Sequence, residues 1–495
     1  NENYMSSYAI HCAALALMKL DNFQFQYIFK DKSDYDTYME NYQATYTEKA
    51  DDIRTGGYRI YTTLDQDLQT ALQSQLDNVL SPYTELQDNG KYALQGAGVI
   101  VDNMTNSVVA VVGGRGTEDV YNRAYLSARQ PGSTIKPLID YAPAFDTGEY
   151  YPARLVNDHK WENGPSNSGG SYYGNVSVRE ALNRSLNTVA WQILTDIGVD
   201  YGLNYLGEME FQKLTYIDNG VPSLSIGGFT NGVRVVDMAK AYSALANGGV
   251  YNDQTCIRRI DHEHNGELTK NLKAHSQVVY QQDSAYMLTD ILKGTLTEAY
   301  GTGYGLALEN DMPAAGKTGT TNSSKDTWFC GYTRYYTTAI WVGYDIPRNM
   351  PGIYGATYAG RIWKSVMDQI HEGLEPLDWI QPETVERKVD TKTGIKDYFS
   401  TTAQFREMRQ TVSFDVQIDQ KPIIKPSKTI TISDGVQASV DAFMEKEITS
   451  VEDTYTVTDE YNSITSKLSL LDDGELRASL LEKAESRYDY FKEII

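Results

Sequence analysis

Apolar positions recur at helical spacing near the start of the chain. Ile10, Ala13, Ala14, Leu17 and Leu20 share one helical face within residues 4 to 29, and a polar, tyrosine-rich connector is expected from there to about residue 50. After Gly56-Gly57 the pattern switches to the alternating run Tyr58 to Leu64, a strand by its β-branched and aromatic content, and a Gln- and Leu-rich helix runs on to about Leu80. From Gly96 the texture changes again. Ala97 to Val101 and Val108 to Val112 are buried-strand runs, joined by Asp102-Asn103-Met104-Thr105-Asn106, a hairpin turn by composition. Beyond Pro131-Gly132, the positions Ile135, Leu138, Ile139, Ala142 and Phe145 define a helix that starts at Ser133 and tolerates Pro137 in its first turn. Ser177-Val178-Arg179-Glu180 has capping-box form for a helix closing near Arg184, with a second helix opening at Asn187 or Thr188.

Further helices are predicted over 234–247, ended by Gly248-Gly249, over 283–299 and over 360–373, with three strands between 314 and 344. Hairpins flanked by helices, without regular βαβ alternation, indicate an α+β fold: an antiparallel sheet covered by helices. Past residue 400 the pattern predicts strands at Gln410 to Asp419 and Lys428 to Ser433, then an amphipathic helix over 473–495, with no chemistry attached. The expected division is a linker or pedestal over 1–93, a main domain over 94–400 and a C-terminal extension over 401–495.

Composition narrows the functional classes. At 495 residues the chain is long enough for two or three folded units, and 41% hydrophobic with 22% charged residues is a globular balance. A net charge of −22 repels phosphate backbones and anionic lipid, which argues against nucleic acid as a partner. The chain opens Asn1-Glu2-Asn3 with no initiator methionine or signal-peptide pattern, and the apolar stretch Cys12 to Met18 is too short to span a bilayer. It reads as part of something longer, with any membrane anchor outside it. Cys12, Cys256 and Cys330 are odd in number and far apart, so they are expected as unpaired packing residues. His262 and His264 lie in the polar turn Asp261-His262-Glu263-His264-Asn265-Gly266; two ligands rarely make a metal site, and none is expected.

Acyl transfer needs a nucleophile, a base in reach and donors aimed at the developing oxyanion. Ser133 and Lys136, three residues apart at a helix start, stack on one face. Lysine acts as a base only when neutral, a state that desolvation or a neighbouring cation arranges. This is the chain's only S-x-x-K, and Pro131-Gly132 makes the sharp entry that presents a side chain at a helix tip. Ser185-Leu186-Asn187 is the only S-x-N and lies in the break between two helices, where Asn187 also suits an N-cap. Lys317-Thr318-Gly319-Thr320 precedes strand-like sequence, so an edge strand there offers backbone groups to a peptide and hydroxyls to its carboxylate. Gly319 permits close backbone approach. A second K-T-G, Lys392-Thr393-Gly394, stands between Asp390 and Asp397 with no apolar strand behind it and is taken for a turn. Glu180-Ala181-Leu182-Asn183 only loosely resembles the E-x-x-L-N of class A β-lactamases and precedes S-x-N, so Glu180 is assigned to helix capping.

The ordered set Ser133-x-x-Lys136, Ser185-x-Asn187, Lys317-Thr318-Gly319 resembles the triple signature of penicillin-binding proteins and serine β-lactamases. The surrounding Arg129 to Pro137, Val178 to Leu182 and Ala315 to Thr321, with Tyr61-Thr62-Thr63-Leu64-Asp65 upstream, resemble the transpeptidase portion of class A, bifunctional penicillin-binding proteins over roughly residues 50–395. No glycosyltransferase motif precedes it, so polymerase activity is not expected of this chain. The resemblance implies a β-lactamase/transpeptidase-like fold without cofactor, on the extracellular face of the bacterial membrane and anchored by a segment outside this chain. Implied partners are D-Ala-D-Ala stem peptides, an amine acceptor, β-lactams and cell-wall synthesis or division proteins. It implies Ser133 as nucleophile, Lys136 as base, Ser185 and Lys317 as proton relay, Asn187 as holder of Lys136 and the substrate amide, and Thr318 and Thr320 as carboxylate binders beside Gly319. Backbone N–H groups of Ser133 and Thr320 form the implied oxyanion hole. A D,D-carboxypeptidase, a β-lactamase-like hydrolase and a non-turnover penicillin sensor share the acylation step and stand as alternatives.

Overall fold

Strand residues that are apolar at every position need cover on both sides, and the molecule is built that way. The computed structural model describes residues 3–401 apart from 117–119, 254 and 272–274, and beyond 401 it describes 432–446, 475–494 and isolated positions between 457 and 468. Its central element among the described residues is a five-stranded antiparallel sheet ordered Ala315–Thr320, Asp326–Tyr332, Tyr336–Tyr344, Leu94–Asp102, Ser107–Val112. Ala97, Val99, Val101, Trp328, Cys330, Ala339 and Trp341 face a core shared with the helices Val178–Asn183, Asn187–Ile197 and Val235–Ala246. The alternate residues Ile100, Ala110, Val112, Phe329, Ile340 and Val342 face Leu72, Leu76 and Leu80 of the helix Gln66–Leu80 and Ile362, Trp363 and Val366 of the helix Gly360–Ile370. Period-two alternation thus feeds two cores at once. The predicted α+β architecture is the one observed, and the three strands expected between 314 and 344 form one edge of the sheet.

Local departures have identifiable causes. The tyrosine-rich connector expected before residue 50 is instead the helix Lys32–Thr55. Its tyrosines sit at i, i+4 spacing, so Tyr38 stacks on Tyr42 and Tyr42 on Tyr46, while Phe23 and Phe25 pack their edges against Tyr42. The stripe was present in the sequence, but it is aromatic rather than aliphatic. Ser177 caps its helix by accepting from the Glu180 N–H, yet the Glu180 carboxylate turns away to Arg184 at 2.7 Å, so only half of the expected capping box forms. Asp397, expected in a merely polar turn, is buried and receives Arg179, whose guanidinium also reaches Asp290 at 2.7 Å. The three cysteines are buried and form no disulfide. His262 ends the strand Ile257–His262, and the expected polar turn is confined to the residues after it.

The described residues up to 400 form one compact unit, and those from 432 onward belong to a second. In the second, the helices Ile432–Glu445 and Glu475–Ile494 enclose Val440, Phe443, Leu480, Ala484 and Phe491, which places the C-terminal helix where its periodicity predicts. Ile432 and Ser433, expected at the end of a strand, open a helix instead. Gln410 to Asp419 and Lys428 to Thr431 lie outside the described residues.

Candidate active site

Pro137 explains the shape of the segment that carries Ser133. Without an N–H, Pro137 cannot close the α-helical bond to the Ser133 carbonyl, and the Lys136 N–H bonds that carbonyl instead, giving the 3₁₀ turn Gly132–Ile135. Side chains at i and i+3 eclipse in a 3₁₀ turn, so Ser133 and Lys136 line up more directly than on the expected α-helix. A π turn, Pro137–Tyr141, follows before regular helix resumes at Ala142–Asp146. Carbonyls within this irregular stretch find partners far away: Thr134 O accepts from the Tyr242 hydroxyl at 2.6 Å and Leu138 O from the Tyr280 hydroxyl at 2.7 Å. Upstream, Arg129 pairs with Asp326 at 2.7 Å and Gln130 exchanges two hydrogen bonds with Phe229. The turn is held from both ends.

Ala315–Thr320 is the edge strand of the sheet, and the Ser133 turn sits directly against it. A Cβ on Gly319 would lie 2.5 Å from Pro131 O and 2.9 Å from Thr134 Cγ2, and one on Gly132, at φ 53°, would lie 3.0 Å from Thr320 O. Both glycines are required for this backbone-to-backbone approach. From the third side, Ser185 occupies the turn between two helices at φ 60°, a left-handed conformation that costs a non-glycine residue about 1 kcal/mol or more and that aims its hydroxyl at both lysines.

Four predicted residues meet in one network. Lys136 Nζ donates to Ser185 O and to Asn187 Oδ1, both at 2.7 Å, and lies 3.3 Å from Ser185 Oγ. Lys317 Nζ donates to Ser185 Oγ at 2.8 Å and to Thr318 O at 3.0 Å. Asn187 is oriented by its amide nitrogen, which donates to Ser166 O at 2.9 Å, and by its backbone N–H, held by Asn167 Oδ1 at 2.8 Å. Its side chain therefore does not cap the helix Asn187–Ile197, whose N-cap is Leu186. Ser133 is half-buried, and among the described residues its hydroxyl makes no hydrogen bond of its own. The lysines are fully buried, the serine that precedes them is reachable.

Burial pushes the Lys136 amine down to about 7, against a smaller upward pull from Asp140. Burial also lowers the Lys317 amine well below its ordinary value, and the charge on Lys136 lowers it further. Of the two causes expected to keep Lys136 neutral, desolvation or a neighbouring cation, desolvation is the one that acts there, while the cation effect falls on Lys317. Asp140 itself is fully buried, with neither carboxyl oxygen hydrogen-bonded among the described residues, and burial raises it well above the usual carboxylate range. A neutral Lys136 has two N–H donors and one lone pair. Its two short bonds go to pure acceptors, which leaves the lone pair for the longer contact with Ser185 Oγ at 3.3 Å or for an incoming proton.

Thr318 and Thr320 project from the same strand. Thr318 Oγ1 lies 2.6 Å from Thr302 Oγ1, and Thr320 Oγ1 accepts from the Gly355 N–H at 3.0 Å. By contrast, Lys392-Thr393-Gly394 forms the tip of the hairpin between Val385–Val389 and Lys396–Ser400, where Thr393 Oγ1 donates to Asp390 at 2.9 Å. Asn167, Ser166, Thr302, Gly355, Tyr242 and Tyr280 escaped sequence reasoning because each acts through a neighbour distant in the chain. Among the described residues, no cluster of acidic, histidine and cysteine side chains is arranged to hold a metal.

A five-stranded antiparallel sheet with helices on both faces and the 132–146 segment against its edge is a transpeptidase/β-lactamase-like fold. The chain belongs to the family described as penicillin binding protein transpeptidase domain, whose model matches residues 96–368. It is 34% identical over 382 residues to penicillin-binding protein 1A of Clostridium acetobutylicum, covering 73% of this chain and 46% of that protein. To penicillin-binding protein 1A of Streptococcus pneumoniae it is 30% identical over 416 residues, 76% of this chain and 55% of the other. The chain spans about half the length of the curated relatives it matches. The PonA1 protein of Mycobacterium tuberculosis in complex with penicillin V has a similar fold, with TM-score 0.60 and 21% identity, covering 80% of this chain and 99% of the other. Penicillin-binding protein 1A from Haemophilus influenzae gives TM-score 0.59 at 19% identity, over 78% and 81%. Among the described residues, no helix is long and apolar enough to cross a membrane.

Proposed function

We propose that this chain is a peptidoglycan D,D-transpeptidase that works through an acyl-enzyme on Ser133. The Ser133 oxygen attacks the penultimate D-alanine carbonyl of a donor stem peptide while its proton passes to the Lys136 lone pair. The oxyanion forms between the backbone N–H groups of Ser133 and Thr320, where fixed dipoles need no reorganisation. As the C–N bond breaks, Ser185 hands a proton to the departing D-alanine amine and is resupplied from the lysines on either side. Asn187 holds Lys136 and the substrate amide, and Thr318 and Thr320 grip the terminal carboxylate where Gly319 lets the strand come close. An acceptor amine then attacks the ester, Lys136 takes its proton, and the peptide cross-link leaves with Ser133 restored.

The observation that carries this reading is the buried Lys136–Ser185–Lys317 chain, one turn from a Ser133 hydroxyl that makes no hydrogen bond among the described residues. The penicillin complex of a protein with the same fold supports β-lactams as substrate mimics that acylate Ser133. In this reading residues 94–400 are the transpeptidase and 1–93 its pedestal. The chain acts on the extracellular face of the bacterial membrane beside other cell-wall synthesis proteins. Mass spectrometry after treatment with a fluorescent penicillin is expected to locate the label on Ser133. Capture of the acyl group by an added amine supports transpeptidation; rapid loss to water makes the protein a hydrolase, and a stable label that no amine removes makes it a sensor.

A further inference from the structure

Two threonine hydroxyls can hold a carboxylate only if their protons point at it, an orientation that a donor placed behind each oxygen enforces. For Thr320 that supporting donor is unambiguous: the Gly355 N–H, 3.0 Å from Oγ1, can only donate. For Thr318 the matching position is taken by the Thr302 hydroxyl at 2.6 Å. Thr302 is fixed in turn, because its backbone N–H donates to Asn183 O at 3.1 Å and Asn183 Oδ1 accepts from Thr295 Oγ1 at 3.1 Å. Asn183 ends the helix just before the Ser185 turn.

Thr302 therefore joins two of the three stretches that make the site: its backbone holds the Ser185 side and its hydroxyl holds the Lys317-Thr318-Gly319 strand. We infer that Thr302 is a positioning residue for substrate carboxylate recognition, donating its hydroxyl proton to Thr318 Oγ1 so that the Thr318 proton is directed at the terminal carboxylate of the donor peptide or of a β-lactam. The chain Thr302 O–H to Thr318 O–H to carboxylate runs in one direction, and each hydrogen bond in such a chain polarises the next. The inference rests on the acylation reading above and goes beyond it by separating recognition of the anion from the chemistry at Ser133.

The test compares acylation of the full chain by benzylpenicillin and by its methyl ester, which keeps the lactam but masks the carboxylate. Thr302→Val removes the hydroxyl at constant shape, Thr302→Ala does so with less bulk, and Thr302→Ser keeps it. Both apolar variants are expected to slow acylation by benzylpenicillin about tenfold, the upper range for loss of one hydrogen bond between neutral groups. Thr302→Ser should stay within about twofold of the parent, and all four proteins should react alike with the ester, which also shows that the variants are folded. Equal benzylpenicillin rates in parent and Thr302→Val, or an equal fall with acid and ester, overturn the inference. A parent chain that penicillin never labels at Ser133 removes the acylation reading first, and this one with it.

Discussion

Lys-Thr-Gly occurs twice in this chain, and the two copies live in opposite surroundings. At 317–319 it lies on an edge strand with the lysine wholly buried, hydrogen-bonded to Ser185 and pushed toward neutrality; at 392–394 it is the solvent-exposed tip of a hairpin. Even the glycines serve different ends. Gly319 makes room for Pro131 O, whereas Gly394 sits at φ 70° with nothing within 4 Å of where a Cβ would be, so one is spatial and the other conformational. A three-letter motif thus specifies which groups are available, and the packing around it decides whether they have any chemistry.

The comparison can be broken or sharpened by experiment. The largest effect belongs to the hydroxyl that the first copy serves: Ser133→Ala should abolish covalent penicillin labelling while far-ultraviolet circular dichroism stays unchanged, and a labelled variant would dismiss the assignment. Next, Lys317→Ala should slow acylation about a thousandfold, within the range for loss of a proton-transfer group. Gly319→Ala, which forces the strand off the Ser133 turn, should cost about a hundredfold, as misplacement by roughly an ångström does. Smaller in range is the pH response. Lys136 must be unprotonated to accept the Ser133 proton and its amine is lowered to about 7, so the acylation rate constant should climb with pH, pass half its maximum near 7 and level off above. A profile flat between pH 6 and 8 would contradict that role for Lys136. At the bottom of the scale, Lys392→Ala should leave acylation unaltered, and Gly394→Ala should lower stability by about 1 kcal/mol in denaturant unfolding without touching it. Exchanged outcomes at 317 and 392 would exchange the two copies.

Much of this was legible in the residue order. The apolar runs of Ala97 to Val101 and Val108 to Val112 could only be strands covered on both faces, and they are. Ser133, Lys136, Ser185, Asn187 and Lys317 were singled out by spacing and by uniqueness in the chain, and the structure draws the last four into one network with Ser133 one turn away. Other features were hidden. The helix Lys32–Thr55 passed for a connector because its seam is tyrosine. The 3₁₀ and π turns after Gly132 passed for regular helix, although Pro137 in the first turn was a clue to the missing bond. Thr302 and Asn167 carry no local signal, since a threonine or asparagine in a loop is ordinary until its partner is known.

What the sequence determined by itself was the inventory and the local geometry: which side chains carry protons, which lie one turn apart, and which segments alternate with period two. Those properties follow from covalent structure and from contacts within a few residues. Tertiary structure alone decided that Lys136 loses its water and with it the stability of its charge, that Ser185 stands between two amines, and that Thr318 has a hydroxyl at its back. Desolvation and hydrogen-bond direction are set by whatever else occupies the surrounding few ångströms, and here those neighbours lie well outside the reach of local sequence: Thr302 is 16 residues from Thr318, and Ser185 is 49 residues from Lys136 and 132 from Lys317.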